Sequence, residues 1–120
     1  MKKRKINITL ITDDNKEEYN LLGEYDKENE IITYSENTNL VTRVKLDLKE
    51  KVLTRENKDY CLKYHLVENK VTENEIEIKE LNQKIILKIK TNKFEITENQ
   101  VTVIYTILDS KEIIKYQINF

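Results

Sequence analysis

The chain has 120 residues and contains one cysteine and one histidine, Cys61 and His65, both in the segment DYCLKYH. A thiol and an imidazole readily form a nucleophile with its general base, and both groups also bind metal ions. For proton transfer, the two side chains would have to come within about 2.6–3.2 Å of each other. Whether they can do so depends on the secondary structure of the segment.

This segment alternates between apolar and polar residues, as a β-strand with one buried face does. Its apolar face carries Tyr60, Leu62, Tyr64 and Leu66, and its other face carries Cys61, Lys63 and His65. In a strand, residues four apart point the same way but stand about 13 Å apart. We therefore interpret Cys61 and His65 as outward-facing residues rather than a catalytic pair. A zinc site would need three or four ligands, and the spacing indicates no others.

Other patterns that carry chemistry are weak or absent in the sequence. It contains no phosphate-binding loop, nucleotide fingerprint or serine elbow. The acidic segment at 13–17 has Glu18 where a calcium loop requires glycine, so we interpret it as a turn. Glu75 and Glu77 alternate with isoleucines and are expected to face solvent. We expect no enzymatic activity, no metal and no cofactor.

Composition predicts one cytoplasmic domain. Charged residues make up 36% of the chain, but the net charge is only -1, which predicts no strong attraction to nucleic acid or to a membrane surface. A single cysteine excludes an internal disulfide, and the start MKKRKINITL lacks the apolar stretch of a signal peptide. We expect a single domain over residues 1–120, in which the basic residues 1–4 could be disordered.

Strand-like alternation recurs along the whole chain, and the intervening segments are short and rich in Asn and Asp, which favour turns. Parallel strands would need crossovers of a dozen or more residues, so these connections predict antiparallel neighbours. We therefore predict an all-β fold, a single antiparallel meander β-barrel of about eight to ten strands. The expected strands lie at 5–11, 18–25, 30–35, 40–48, 51–55, 60–66, 75–79, 85–90, 93–97, 101–107 and 114–120.

Three segments carry a further expectation. Asp14–Leu22 and Thr72–Leu81 are also compatible with helices, the second with a capping box. We interpret both as strands, and the alternation of Ile76 and Ile78 supports this for the second. Gly23 is the only glycine and lies inside the apolar stretch NLLGEY, which predicts a bulge or a close approach of two backbones.

The inward tyrosines allow two functions. Buried phenol groups normally find hydrogen-bond partners, so they either complete a packed core or supply the polar groups of a ligand cavity. The first hypothesis is a barrel that binds a small apolar or amphipathic ligand through seven inward residues: Tyr60, Leu62, Tyr64, Val103, Tyr105, Ile114 and Tyr116. The second is a packed structural module that meets a protein partner through its outer surface or a sheet edge. RNA is the weaker alternative, suggested by the outward lysines Lys84, Lys88 and Lys90.

Several stretches in a fixed order carry a resemblance to a known family: Gly23-Glu24-Tyr25, EIITYSE, Val44-Lys45-Leu46, Arg55, Leu87–Thr91, Val101–Ile107 and Ile114–Ile118. With this order, the chain resembles the YwiB-like family of uncharacterised bacterial proteins. The resemblance implies a calycin-like, that is lipocalin-like, β-barrel from about Ile6 to Phe120, and it brings no catalytic residue. Where the family tends to have Arg-x-Gly, this chain has Arg55-Glu56-Asn57, and we expect Asn57 to adopt the left-handed conformation of that glycine.

Overall fold

The computed structural model describes residues 3–37 and 40–120. Strands account for the regular secondary structure of these residues, and none of their segments forms a helix long and apolar enough to cross a membrane. The ten described strands are β1 (Lys3–Ile11), β2 (Lys16–Asp26), β3 (Ile31–Asn37), β4 (Val41–Asp47), β5 (Val52–Glu56), β6 (Tyr60–His65), β7 (Val71–Ile78), β8 (Gln83–Thr97), β9 (Gln100–Ile107) and β10 (Glu112–Asn119).

Each strand pairs antiparallel with its neighbour in the chain, and β1 pairs with β10 to close the barrel. The predicted all-β antiparallel meander barrel is therefore confirmed, with ten strands. The two segments that are compatible with helices are strands, since β2 begins at Lys16 and β7 begins at Val71. Their apolar residues follow the two-residue period of a strand and meet the core only in that conformation.

The prediction of two separate strands at 85–90 and 93–97 is wrong, because both belong to β8. The ladder with β9 pairs Thr91 with Tyr105 and Lys93 with Ile104, which leaves Asn92 as the extra residue of a β-bulge. A bulge reverses which residues of a strand face inward. The buried positions are therefore odd-numbered before the bulge, at Ile89 and Thr91, and even-numbered after it, at Phe94. The sequence pattern shows this reversal as the end of one strand and the start of another.

The start of the chain is part of the sheet from Lys3 onward. Lys3 pairs with Glu24 and Arg4 with Gly23, so half of the basic segment expected to be disordered belongs to β1. Arg4 also lies over the ring of Tyr25, with its guanidinium carbon 5.6 Å from the ring centroid. Met1 and Lys2 lie outside the described residues.

Gly23 lies at a close approach of β1, β2 and β3. It pairs with Arg4 on one side and with Tyr34 on the other. A Cβ atom at this position would lie 2.7 Å from the Thr33 carbonyl oxygen, 3.1 Å from Tyr34 Cβ and in contact with Ile6 Cδ1. The predicted close backbone approach is confirmed. Gly23 also marks the limit of the pairing between β2 and β3, because the residues of β2 between Gly23 and the β1–β2 turn do not pair with β3.

Asn57 does not adopt the left-handed conformation predicted for it, because its φ is not positive. Its side chain forms the turn instead. The Asn57 Oδ1 accepts hydrogen bonds from the backbone N–H groups of Asp59 at 2.8 Å and Tyr60 at 3.0 Å, and its Nδ2 donates to Thr42 Oγ1 at 3.1 Å. An asparagine can close a turn with its amide, which a glycine cannot do, so the β5–β6 hairpin persists by a different interaction.

The core consists of the inward faces of the strands. Near its centre, the buried hydroxyl groups of Tyr34 on β3 and Tyr116 on β10 form a hydrogen bond with each other across the barrel. Burial, and to a lesser extent the neighbouring Tyr19, raises the pKa of Tyr116 well above its usual value. The buried apolar residues are Ile6, Ile8, Ile32, Tyr34, Val44, Leu46, Leu48, Leu53, Tyr64, Leu66, Ile89, Phe94, Val101, Val103, Tyr105, Ile114, Tyr116 and Ile118.

We predict that Gly23→Ala lowers the free energy of unfolding by about 1–3 kcal/mol, because the added methyl group overpacks a site bounded by backbone. Urea denaturation followed by circular dichroism measures this change. Leu22→Ala is the matched control, since Leu22 is 59% exposed and its truncation should change stability little. Equal stability of Gly23→Ala and the wild type would contradict the close approach.

We predict that stability falls as the pH rises above 10, and that Tyr116→Phe makes this fall shallower. In the unfolded chain the phenol ionises near pH 10, whereas in the barrel it stays neutral, so the unfolded state loses its proton first. Each such tyrosine contributes a slope of about 1.4 kcal/mol per pH unit. Urea denaturation at pH 8, 10 and 11 measures the slope, and identical slopes for the two proteins would contradict the shift.

Candidate functional site

Cys61 and His65 do not form a joint site in the structure. Both lie on the outer face of β6, where His65 is exposed and Cys61 is half-buried between Glu56 on β5 and Glu77 on β7. Burial raises the pKa of the Cys61 thiol, and the charge of Glu56 raises it further. The thiol therefore stays protonated near neutral pH, which is the form that makes a poor nucleophile.

Six of the seven predicted interior residues belong to the core or pack against it. Tyr64, Val103, Tyr105, Ile114 and Tyr116 are buried, and Leu62 is half-buried at the edge of the core. Tyr60 lies outside this cluster and is half-buried beside Arg55 of the adjacent strand. The interior is therefore dense near Val103 and Tyr116 and more open toward Tyr60 and Leu62.

The more open part is the end of the barrel at which the β1–β2, β5–β6 and β9–β10 turns lie, and we call it the mouth. Five apolar or aromatic residues there pack against the core but remain partly exposed: Leu10, Tyr19, Leu62, Leu87 and Ile107. At the opposite end, Lys51 of the β4–β5 turn lies over the Phe94 ring at 5.5 Å, and its carbonyl accepts a hydrogen bond from Leu66 N–H at 2.8 Å.

The wall of the barrel also opens sideways near the mouth. β2 pairs with β3 only through Gly23–Asp26, so Lys16–Leu22 separate from the end of β3. We call this gap the seam. It holds a pocket of about 830 Å³, which is lined by Lys16–Leu21, Ser35, Glu36 and Arg55. The volume lies within the range of small-molecule sites.

A second gap in the barrel wall, between β6 and β7, is filled by a side chain. β6 and β7 pair through three residues only, and beyond them the fully buried side chain of Asn74 takes the place of the ladder. Its Oδ1 accepts from His65 N–H at 2.8 Å, and its Nδ2 donates to the Leu87 carbonyl at 3.2 Å. The seam between β2 and β3 has no comparable plug among the described residues and is bridged by side chains at its inner side.

A charged pair lies at the inner side of the seam. Arg55 Nη2 is 2.5 Å from Glu36 Oε1, and the Tyr19 hydroxyl donates to Glu36 Oε2. Only 27% of the Arg55 side chain and 14% of the Glu36 side chain are exposed. Burial alone would lower the pKa of Arg55, but the hydrogen bond and charge of Glu36, together with Tyr60, outweigh burial and raise it. Arg55 is therefore charged at all accessible pH values.

Below this pair lie two buried phenol groups, those of Tyr64 and Tyr105. Their rings meet edge to face with centroids 5.7 Å apart. Burial raises the pKa of both, so both are neutral near pH 7. Neither hydroxyl forms a hydrogen bond with a described residue. Among the described residues, Thr91 Oγ1 is a fully buried side-chain atom without a partner, whereas the hydroxyl oxygens of Tyr64 and Tyr105 are not in that class.

Sequence reasoning missed Glu36 and Tyr19 as site residues and used Arg55 only for the family resemblance. A signal for two of them was present. Glu36 continues the inward positions of Ile32 and Tyr34, and Arg55 continues the inward position of Leu53, so each apolar face ends in a charge. Opposite charges at inward positions of different strands predict a pair inside a barrel, although the sequence cannot show that the two strands lie close.

Comparison with known proteins finds a solved structure with a similar fold. No family model matches the chain, and no curated protein matches its sequence. Its structure is similar to the crystal structure of the ywiB protein from Bacillus subtilis, with a TM-score of 0.68, 16% sequence identity, and coverage of 96% of this chain and 89% of that chain. The resemblance to the YwiB-like family is thus confirmed at the level of the fold.

Proposed function

We propose that this protein binds a small apolar or amphipathic molecule inside the barrel, through the mouth and the seam. The observation that carries the proposal is the pair of buried rings, Tyr64 and Tyr105, whose hydroxyl groups form no hydrogen bond with the described residues. Polar groups of this kind are costly in a packed core and useful in an apolar cavity, where they orient a ligand.

The surroundings of these hydroxyl groups support a ligand with one polar end. Leu62, Leu87 and Ile107, which pack against the core and remain partly exposed at the mouth, would form the apolar walls of the site. Arg55 and Tyr60 supply hydrogen-bond donors at the rim. An amphipathic molecule would place its apolar part between the walls and its polar end at the rim, since this arrangement leaves no donor or acceptor buried without a partner.

We propose a binding role without catalysis, in the cytoplasm. The raised pKa of Cys61 and those of Tyr64 and Tyr105 keep these groups in the forms that do not act as nucleophile or base near pH 7. Cys61 is a free and partly exposed thiol, which suits a reducing compartment. Nucleic acid is disfavoured as a partner, because Lys84 and Lys88 lie 3.8 and 3.9 Å from the carboxylates of Glu75 and Glu73.

A second candidate function, contact with a protein partner, is favoured by one observation at the seam. Thr12 and Asn15 exchange two backbone hydrogen bonds at the β1–β2 turn. Because such pairs alternate along an antiparallel ladder, Glu18 and Asn20 direct their backbone N–H and C=O groups away from β1 and into the seam. An extended segment of another protein could pair with this edge.

Native mass spectrometry of gently purified protein distinguishes the two functions. We expect a small adduct beyond 14.4 kDa that disappears on denaturation. Tyr105→Phe should retain less of the adduct while its unfolding midpoint changes little, because the substitution removes a hydroxyl that forms no hydrogen bond with the described residues. Tyr25→Phe is the matched control, since Tyr25 packs on Phe120 with centroids 4.7 Å apart, away from the site.

Equal retention by Tyr105→Phe and the wild type would contradict a role for the interior hydroxyl groups. A protein without any adduct, purified from its native host together with a protein partner or as a defined oligomer, would favour the second function.

A further inference from the structure

We propose that the Glu36–Arg55 pair makes the mouth selective for uncharged amphipathic ligands, such as long-chain alcohols or amides, over carboxylates of the same chain length. This inference rests on the proposed ligand-binding function and specifies the ligand class. In the barrel interior, Arg55 at the rim has a carboxylate partner, Glu36, from another strand.

The geometry shows that Glu36 is held in place by two strands. Its Oε1 accepts from Arg55 on β5 and its Oε2 accepts from the Tyr19 hydroxyl on β2. Both carboxylate oxygens are thus engaged, and the side chain is among the least exposed charged groups of the described ion pairs. A ligand carboxylate that displaced Glu36 from Arg55 would leave a buried, unpaired negative charge, which is strongly unfavourable.

The charges around the site also disfavour an anion. Arg55 and Glu36 cancel each other, and the other carboxylates that act on the site tyrosines are Glu17, near Tyr19, and Glu112, near Tyr105. The seam adds one cation, Lys16, and one further carboxylate, Glu18, so carboxylates still outnumber cations among the described residues around the site. A carboxylate ligand would therefore enter a region whose remaining charge is negative, in a medium where charges interact more strongly than in water.

An uncharged oxygen meets no such penalty. A guanidinium group has five N–H donors and no acceptor, and the bond to Glu36 at 2.5 Å uses one of them. Tyr64 and Tyr105 add hydroxyl groups that can donate or accept. A hydroxyl or amide oxygen of the ligand can accept from these donors while Glu36 stays paired, so the ion pair acts as a filter on ligand charge.

Competition experiments with matched probes test the inference. N-phenyl-1-naphthylamine, an uncharged fluorescent probe, reports occupancy of the barrel, and 1-dodecanol or dodecanoate displaces it at pH 8. We expect the wild type to bind dodecanol at least about tenfold more tightly than dodecanoate. In Glu36→Gln, which keeps the shape of the side chain, Arg55 loses its counter-charge, so dodecanoate affinity should rise about tenfold or more while dodecanol affinity changes less than about threefold.

Glu73→Gln is the matched control, because it makes the same change in an ion pair on the outer face of β7, where the Glu73 side chain is 68% exposed and lies 3.9 Å from Lys88, and it should leave both affinities unchanged. If the wild type binds dodecanoate as tightly as dodecanol, the charge filter is wrong while the proposed ligand binding stands. An unchanged preference in Glu36→Gln with native circular dichroism would also overturn it. If neither the fluorescent probe nor dodecanol binds the wild type, the proposed function itself fails and the inference fails with it.

Discussion

The close contact of Gly23 with the backbone of β3 decides where this barrel is closed and where it is open. At Gly23, β2 lies so near the Thr33 carbonyl oxygen and Ile6 that a side chain would not fit. On one side of this point β2 pairs with β3, and on the other side it follows β1 alone. The seam, and with it the exposed flank of the Glu36–Arg55 pair, begins at the residue where the close approach ends.

Two short ladders in one barrel have different consequences. The gap between β6 and β7 is filled by the Asn74 amide, which bonds backbone groups of both neighbouring strands and is fully buried. The gap between β2 and β3 is crossed by long side chains, Tyr19 and Glu36, that meet only at their ends. An amide close to the backbone replaces a ladder, whereas a contact between side-chain tips leaves space beneath it. The barrel wall is sealed at the first gap and accessible at the second.

The Glu36–Arg55 pair is costly as a device for stability alone, because two charges lose most of their hydration when they enter the barrel. Apolar residues at both positions would extend the inward faces of β3 and β5 without that cost. The pair occurs at the mouth, above the phenol groups of Tyr64 and Tyr105, and not within the dense core around Tyr116. This location is the reason why the charged pair is included in the proposed ligand site.

The sequence by itself determined the all-β class, the antiparallel order, the outward positions of Cys61 and His65 and the close approach at Gly23. These follow from local rules: alternation with a period of two, short polar turns and the small size of glycine. It did not reveal the bulge at Asn92, which reverses the alternation, or the side-chain turn of Asn57. Only the tertiary structure placed Glu36 beside Arg55 and opened the seam. The pairing of residues from strands that are not consecutive, and the length of each ladder, depend on how the whole barrel closes, and local sequence does not encode either of them.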